Sequence, residues 1–146
     1  MTRADRARAA RVSRRLSADR AARDAALDLV WALVPDAGCK GLCHQACGPV
    51  AMSESERDRL ARRTGRMVED AATVAGSCPV LTPSGACGGY EARPTVCRLW
   101  GSVEGLPCPH GCVPVGGRLS DADGGAVLAA ARAVDSVTAR KGKPDA

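Results

Sequence analysis

The sequence predicts a mainly α-helical protein, with a small irregular cysteine-rich centre flanked by helices and little or no β structure. Apolar residues recur at helical spacing towards both ends of the 146-residue chain, whereas residues 76–117 are rich in Gly, Pro and Cys and lack lasting periodicity. Large apolar residues are scarce, since Leu and Val together number 25 and neither Ile nor Phe occurs. A conventional core is therefore small, and another interaction must help to stabilise the fold.

The sequence of the N-terminal region predicts two successive helical segments. Residues 2–16 are rich in Ala and Arg, which favour helix, but they offer few large apolar groups, so we expect a solvated helix or a frayed tail. Ser17 is a candidate N-cap for a following helix. The apolar face of that helix consists of Leu27, Val30, Trp31 and Val34. Pro35 should end it before the first cysteine.

A capping box predicts the next helix. Ser53 and Glu56 form an S-x-x-E pattern, which indicates a helix over about 54–64 that ends at Gly65. Residues 66–75 could form a further short helix.

The C-terminal half predicts two helices. A short one is expected between Pro94 and Trp100. Ser120 is a candidate N-cap for an Ala-rich helix over about 121–138, with an apolar side that includes Leu128 and Ala131. Residues 140–146 should form a disordered tail.

Charge divides the chain into three expected parts. Residues 1–35, a helical arm, carry a net charge of +4; residues 36–117, the cysteine-rich domain, carry zero; residues 118–146, a helix and tail, carry +1. An excess of four positive charges with almost no aromatic residues makes nucleic acid an improbable partner. A protein partner that binds the N-terminal helix through the apolar face of residues 27–34 stays open.

Composition also suggests the source and compartment. Arg exceeds Lys by 18 to 3 and Asn is absent, a skew typical of GC-rich bacterial coding sequences. The chain has no apolar run long enough to span a membrane and no evident secretory signal. We therefore expect a cytoplasmic protein without a membrane anchor, in which thiols stay reduced.

The cysteines are the main candidate for function. They are Cys39, Cys43, Cys47, Cys78, Cys87, Cys97, Cys108 and Cys112. The first cluster reads C-K-G-L-C-H-Q-A-C-G-P and the last reads C-P-H-G-C, so Gly and Pro favour turns around close-spaced thiols. Such groups are typical of zinc sites and of iron–sulfur clusters, with disulfides or redox thiols as the alternative. We predict that all eight are metal ligands, whereas His44 and His110 lie outside the ligand shell.

The segment from Cys78 to Arg98 carries a specific motif. It contains C-P-V-L and then C-G-G-Y-E-A-R-P-T-V-C-R, which resembles the signature of the YkgJ-like cysteine-cluster family. The resemblance extends over about Cys39 to Cys112 and implies a zinc- or iron-chelating domain. The first cluster departs from the family pattern, because common members end it with C-x-x-C-C, whereas this chain has C-x-x-x-C-x-x-x-C.

Two motif residues are predicted to support a bound cofactor. Arg93 cannot deprotonate, so it could offset the negative charge of thiolates or pair with a carboxylate such as Glu91. Tyr90 is the single tyrosine, and its ring, like that of Trp100, is expected to cover the metal site.

These features predict a metal-binding protein with an iron–sulfur cluster or zinc, with a slight preference for iron–sulfur, that acts as an accessory or electron-handling module. No catalytic residues stand out, and neither a nucleotide-binding fingerprint nor the C-x-x-x-C-x-x-C spacing of radical S-adenosylmethionine enzymes is present. Two alternatives stay open. One is a protein-modifying enzyme, since the resemblance extends to the cysteine-rich part of flagellin lysine N-methylases. The other is a zinc-stabilised interaction domain.

Overall fold

A computed structural model describes residues 1–42, 47–68 and 76–140. These contain four α-helices, α1 (Arg3–Trp31), α2 (Glu54–Thr64), α3 (Thr95–Leu99) and α4 (Asp121–Ala133), and 3₁₀ turns at Tyr90–Ala92 and Val134–Ser136. The described ranges include two isolated β-bridges but no strand or sheet. The predicted fold class, helices around an irregular cysteine-rich region, is confirmed. No helix in the described part of the chain is long and apolar enough to cross a membrane.

Helix α1 is one continuous helix of 29 residues. Its cap is Thr2, which forms a capping box with Asp5. The prediction that Ser17 begins a second helix is wrong: Ser17 lies inside α1, because neither Gly nor Pro interrupts the Ala- and Arg-rich segment before it. Residues 1–18 are all exposed, so the first half of α1 contributes no buried side chain.

The second half of α1 packs against α4. The buried side chains of this first cluster are Leu27, Val30, Trp31, Val127, Ala131 and Val134. The apolar face predicted near the end of α1 is therefore covered within the chain. On α4 the buried face includes Val127 rather than Leu128, because positions 127, 131 and 134 share one side of the helix. The α-helical part ends at Ala133, earlier than predicted.

Helix α2 has the predicted bounds and the predicted capping box. Asp135 adds a second cap from the far end of the chain, because its carboxylate accepts hydrogen bonds from the backbone N–H groups of Glu54 (3.1 Å) and Ser55 (2.8 Å). Gly65 ends the helix with a φ of +68°, a left-handed conformation that favours glycine. Of the short helix predicted over 66–75, residues 66–68 are not helical and residues 69–75 lie outside the described residues.

A second cluster lies beneath α2. It consists of Leu60, Val68, Val80 and Ala92, with Met52, Cys78 and Cys87 packed against it. This cluster therefore joins α2 to the cysteine-rich loop that precedes α3.

A buried polar chain connects the first three helices. The Glu56 carboxylate at the start of α2 accepts hydrogen bonds from the backbone N–H (2.6 Å) and the hydroxyl of Thr95 at the start of α3. The Thr95 hydroxyl in turn accepts a hydrogen bond from the indole N–H of Trp31 at the end of α1 (3.1 Å). Glu56 is 3% exposed and Thr95 is fully buried, so these bonds fix α3 in place. Whether residues 36–117 form a unit separate from the flanking helices stays a prediction.

Candidate metal centre

The cysteine-bearing segments line one cavity of about 800 Å³. Its wall includes Cys39, Cys47, Cys78, Cys87, Cys97, Cys108 and Cys112. The thiols of Cys39, Cys78, Cys87, Cys97, Cys108 and Cys112 are in no disulfide. Cys43 and His44, also considered at the sequence level, lie outside the described residues.

Four cysteines form the group that we call the α3 group: Cys47, Cys78, Cys87 and Cys97. The backbone N–H of Cys78 donates to the carbonyl of Cys47 at 3.3 Å, which brings the first loop onto the second. An antiparallel bridge between Leu81 and Cys87 folds the second loop back on itself, so Cys78 and Cys87 both reach the second cluster. Cys97 follows on α3. Cys47 and the stretch from Cys78 to Cys97, which are distant from each other in sequence, therefore present thiols to one region.

Cys97 has the most perturbed thiol of this group. Burial raises the pKa of Cys97 to about 12, and the adjacent Cys78 and Cys87 thiols contribute in the same direction, whereas the Arg93 guanidinium opposes them. Without a cation this thiol is protonated at neutral pH. A soft metal would supply the positive charge that makes deprotonation favourable, because a coordinated thiol loses its proton.

Sequence reasoning identified Glu56 only as part of a local capping box. Its bonds to Thr95 also fix the start of α3, two residues before Cys97. Nothing in the spacing of the two residues predicts this contact, since they lie 39 positions apart. Glu56 and Thr95 are therefore positioning residues of the candidate site that only the fold reveals.

Arg93 and Tyr90 line the cavity, and their role in supporting a bound cofactor stays a prediction. The Arg93 guanidinium stacks on the Tyr90 ring, 3.8 Å from its centroid, and its buried Nε has no hydrogen-bond partner among the described residues. The suggested partner Glu91 instead forms an ion pair with Arg63 at 2.7 Å. Tyr90 and Trp100 line the cavity but stay 44% and 43% exposed, so neither ring closes it.

Further positive charge lies beside Arg93. Burial lowers the pKa of Arg98 to about 10, and repulsion from Arg93 and Arg59 contributes, so these three cations are neighbours. Arg98 and Arg59 both stack on Trp31, at 3.9 and 4.6 Å from the ring centroid. Arg98 is still charged at neutral pH. Arg93 connects these cations with the α3 group, because its charge opposes the raised pKa of Cys97 and favours a thiolate there.

The remaining cysteines form the group that we call the knuckle group: Cys39, Cys108 and Cys112. The backbone N–H of Gly41 donates to the sulfur of Cys39 at 3.3 Å, and that of His110 donates to the sulfur of Cys108 at 3.4 Å. Both bonds run from residue i+2 to the sulfur of residue i, so the two turns share a local geometry. Cys112 is buried, whereas Cys39 is exposed.

Cys108 differs in chemistry from Cys97. Desolvation alone would raise the pKa of Cys108, but hydrogen bonds from the backbone N–H groups of His110 and Cys112 and from the Cys112 thiol outweigh it. The Lys40 ammonium acts in the same direction. The pKa of Cys108 therefore lies below its usual value.

A family model described as "CxxCxxCC: Putative zinc- or iron-chelating domain" matches residues 38–114, just over half of the chain. The chain belongs to this cysteine-cluster family. The match confirms the resemblance predicted from the Cys78–Arg98 motif, and it contains both cysteine groups and the Arg93–Tyr90 stack. No curated protein and no solved structure matches the chain.

The residues of this cysteine-cluster protein suit a soft metal by donor type. The cavity offers thiols, which are preferred by zinc and by iron–sulfur clusters, and the unpartnered Nε of Arg93 lies at its edge. Within residues 1–42, 47–68 and 76–140, no three ligand-type side chains already converge tightly enough to hold an ion. Metal binding would therefore require the side chains of these loops to move closer together.

Proposed function

We propose that this protein is a metal-binding accessory module in which Cys47, Cys78, Cys87 and Cys97 ligate an iron–sulfur cluster. One observation carries the proposal: four thiols, from Cys47 and from the separate stretch between Cys78 and Cys97, line one cavity together with Arg93 and Arg98. A disulfide pair or a lone buried cysteine would not need four such thiols, whereas a four-coordinate metal centre does.

Charge favours a bound centre at this place. Arg98 is repelled by both Arg93 and Arg59, and no described carboxylate forms an ion pair with Arg93 or Arg98. Four thiolates around a cluster would supply the missing negative charge. The Arg93 guanidinium, held against Tyr90, would then tune the reduction potential of the centre, because nearby charge and solvent exposure set that potential. Electron handling follows as the proposed role.

Two broader proposals accompany this role. The free thiols and the proposed iron–sulfur chemistry suit a reducing compartment, and we propose the cytoplasm. The exposed first half of α1 is the part of the N-terminal helix that stays accessible to a protein partner.

The proposal is tested by purifying the full chain without oxygen and measuring its visible spectrum, iron, acid-labile sulfide and zinc. We expect a brown protein with iron and sulfide, and their loss in Cys87→Ser and Cys97→Ser. His110→Ala, which changes an exposed side chain, is the matched control and should keep the cluster. A colourless protein whose zinc content falls in Cys97→Ser would show that the site binds zinc and not a cluster. Folded, metal-free protein would refute metal binding altogether.

A further inference from the structure

We propose that the first half of α1 with its cap, residues 1–18, is a docking surface for a protein partner that presents an acidic amphipathic helix. The inference rests on the proposed accessory role only in that such a module needs a partner, and it does not depend on which metal the cysteines bind. Three properties of this segment support it: its charge, its exposure and a groove on its surface.

The first half of α1 carries the whole net charge of the chain. Residues 1–18 contain six arginines and one acidic residue, Asp5, which gives a formal net charge of +5, equal to that of the complete chain. Residues 19–146 therefore have no formal net charge. The positive field is concentrated on one helical segment, where it would attract and orient an acidic partner.

Little within the protein neutralises these arginines. The Asp5 carboxylate is engaged in the capping box with Thr2. The one ion pair between an arginine of this segment and a described carboxylate joins Arg15 and Asp19 at 3.4 Å. Closer to the rest of the fold, by contrast, Arg59 and Arg62 both pair with aspartates of α1 at 2.7 Å. Positive charge is therefore left available on the first half of α1 alone among the segments of this helix.

This segment also lies clear of the other described elements. Residues 1–18 are all exposed, and among the described residues the bonds from α1 to the C-terminal segment begin at Asp19, whose carboxylate accepts the backbone N–H of Ala139 at 2.8 Å. At about 1.5 Å per residue, residues 3–18 extend about 24 Å from this anchor. An isolated helix of this length is marginal in water, but this one continues an anchored helix, so binding would cost little conformational entropy.

Apolar side chains lie beside the charge. Val12 and Leu16 are 53% and 64% exposed, and they line a shallow groove together with Arg8 and Arg20. These four residues follow at intervals of four, so they form one row on the helix surface, apolar in the middle with an arginine at each end. Helices pack against each other through such rows. A partner helix with two apolar residues flanked by acidic side chains matches the row in shape and charge.

The neighbouring basic face favours an acidic protein over other occupants. Arg8, Arg11 and Arg15 have the spacing i, i+3, i+7 and therefore share a face beside Val12 and Leu16. A second copy of this chain would bring the same positive charge to the contact and would be repelled. Nucleic acid would engage the arginines through its phosphates but leave the two apolar side chains uncovered, and the segment has no aromatic residue to stack on a base.

The test measures binding of a fluorescently labelled synthetic peptide to the full chain by anisotropy. The first peptide is an amphipathic helix with leucines at i, i+3, i+4 and i+7 and glutamates on both sides of them. A second peptide has the same residues in an order that spreads the leucines around the helix. We expect the first peptide to bind more tightly than the second, with an affinity that falls as ionic strength rises.

Two sets of substitutions separate charge from shape. Replacing three arginines together, Arg8→Gln, Arg11→Gln and Arg15→Gln, should weaken binding about tenfold and reduce its salt dependence. Replacing the apolar pair, Val12→Gln with Leu16→Gln, should weaken binding about tenfold but keep the salt dependence. Gln favours helix and all five side chains are exposed, so both variants should stay folded.

Controls and competing ligands decide the outcome. Arg132→Gln removes an exposed arginine of α4 and should bind the first peptide as the wild type does. Absence of binding, or equal affinity for the two peptides, would overturn the inference. Tighter binding to a DNA duplex or to phosphatidylglycerol vesicles, or a dimer that the apolar-pair variant abolishes, would overturn it in favour of another occupant.

Metal analysis of the same preparations separates this inference from the proposed metal centre. A folded, metal-free chain that binds the first peptide would support the docking surface and refute the centre. A metal-loaded chain that binds neither peptide would refute the docking surface and leave the centre in place.

Discussion

Replacing Glu56 with Ala should weaken both the fold and the first metal centre. The Oε2 atom of Glu56 accepts a hydrogen bond from the backbone N–H of Ser53 at 2.8 Å, and Oε1 accepts one from the backbone N–H of Thr95 at 2.6 Å. Oε1 also accepts a hydrogen bond from the Thr95 hydroxyl. Alanine removes both acceptor oxygens, and with them three hydrogen bonds, from a side chain that is 3% exposed.

The magnitude follows from the groups left behind. Two buried backbone N–H groups lose their partner, and each such loss costs about 1–3 kcal/mol. The Thr95 hydroxyl still accepts a hydrogen bond from the Trp31 indole N–H, so the loss of its own bond to Glu56 costs less. Some water would enter the space, so we expect the free energy of unfolding to fall by about 3–4 kcal/mol. That is a large share of the 5–15 kcal/mol typical of a folded domain.

The assay is urea unfolding at fixed metal concentration without oxygen, combined with metal analysis of the purified variant. Glu54→Ala is the matched control, because Glu54 lies in the same first turn but its side chain is exposed. This control should lose no more than about 1 kcal/mol through the helix dipole. Equal losses in the two variants would refute the structural role of Glu56. A stability loss with unchanged metal content would refute its role in positioning Cys97.

Three further predictions concern charge, pH and the N-terminal arm. Arg93→Gln should lower the reduction potential of the bound cluster, because a cation beside it is lost, whereas Tyr90→Phe, which keeps the stacking ring, should change it little; voltammetry measures both. Burial raises the pKa of Asp135, but hydrogen bonds from Ser55 and Glu54 lower it more, so the folded-state pKa lies below the unfolded one. The ionised carboxylate therefore adds to the free energy of unfolding above about pH 4, and this stabilisation is lost as pH falls through the folded-state pKa. Asp135→Asn should therefore cost about 1–2 kcal/mol in urea unfolding at pH 7 and less at pH 3; a cost that grows on acidification would contradict this sign. Deleting residues 1–16, which are all exposed, should leave metal content and the urea midpoint unchanged, and a lowered midpoint would place the arm in the core.

Local signals account for the parts of the fold that were predicted well. The S-x-x-E box and Gly65 set both ends of α2, and Ser120 begins α4, because a cap acts within one turn of its own helix. The prediction failed at Ser17 for a related reason. A serine can cap a helix only where the preceding backbone leaves the helical conformation, and nothing around Ser17 makes it do so.

Long-range contacts account for what could not be predicted. Asp135 caps α2 from about 80 positions away, and Glu56 connects α2 with α3 across 39 positions. Neither contact leaves a periodic or motif signal, since each depends on how α1, α2 and α4 pack. Trp31 was predicted only as part of an apolar face, but its indole N–H also donates a hydrogen bond to Thr95 and its ring stacks with two arginines.

The sequence alone determined the helical class, the cysteine-rich centre, the family and the soft-metal chemistry. These properties depend on residue type and short spacing, because helix propensity, caps and thiol chemistry act locally. Only the tertiary structure decided that Cys97 lies beside Cys78 and Cys87, whereas the short spacing of Cys108 and Cys112 already predicted that those two are close. The first of these contacts depends on loops brought together by the second cluster, and no local signal in the chain encodes such distances.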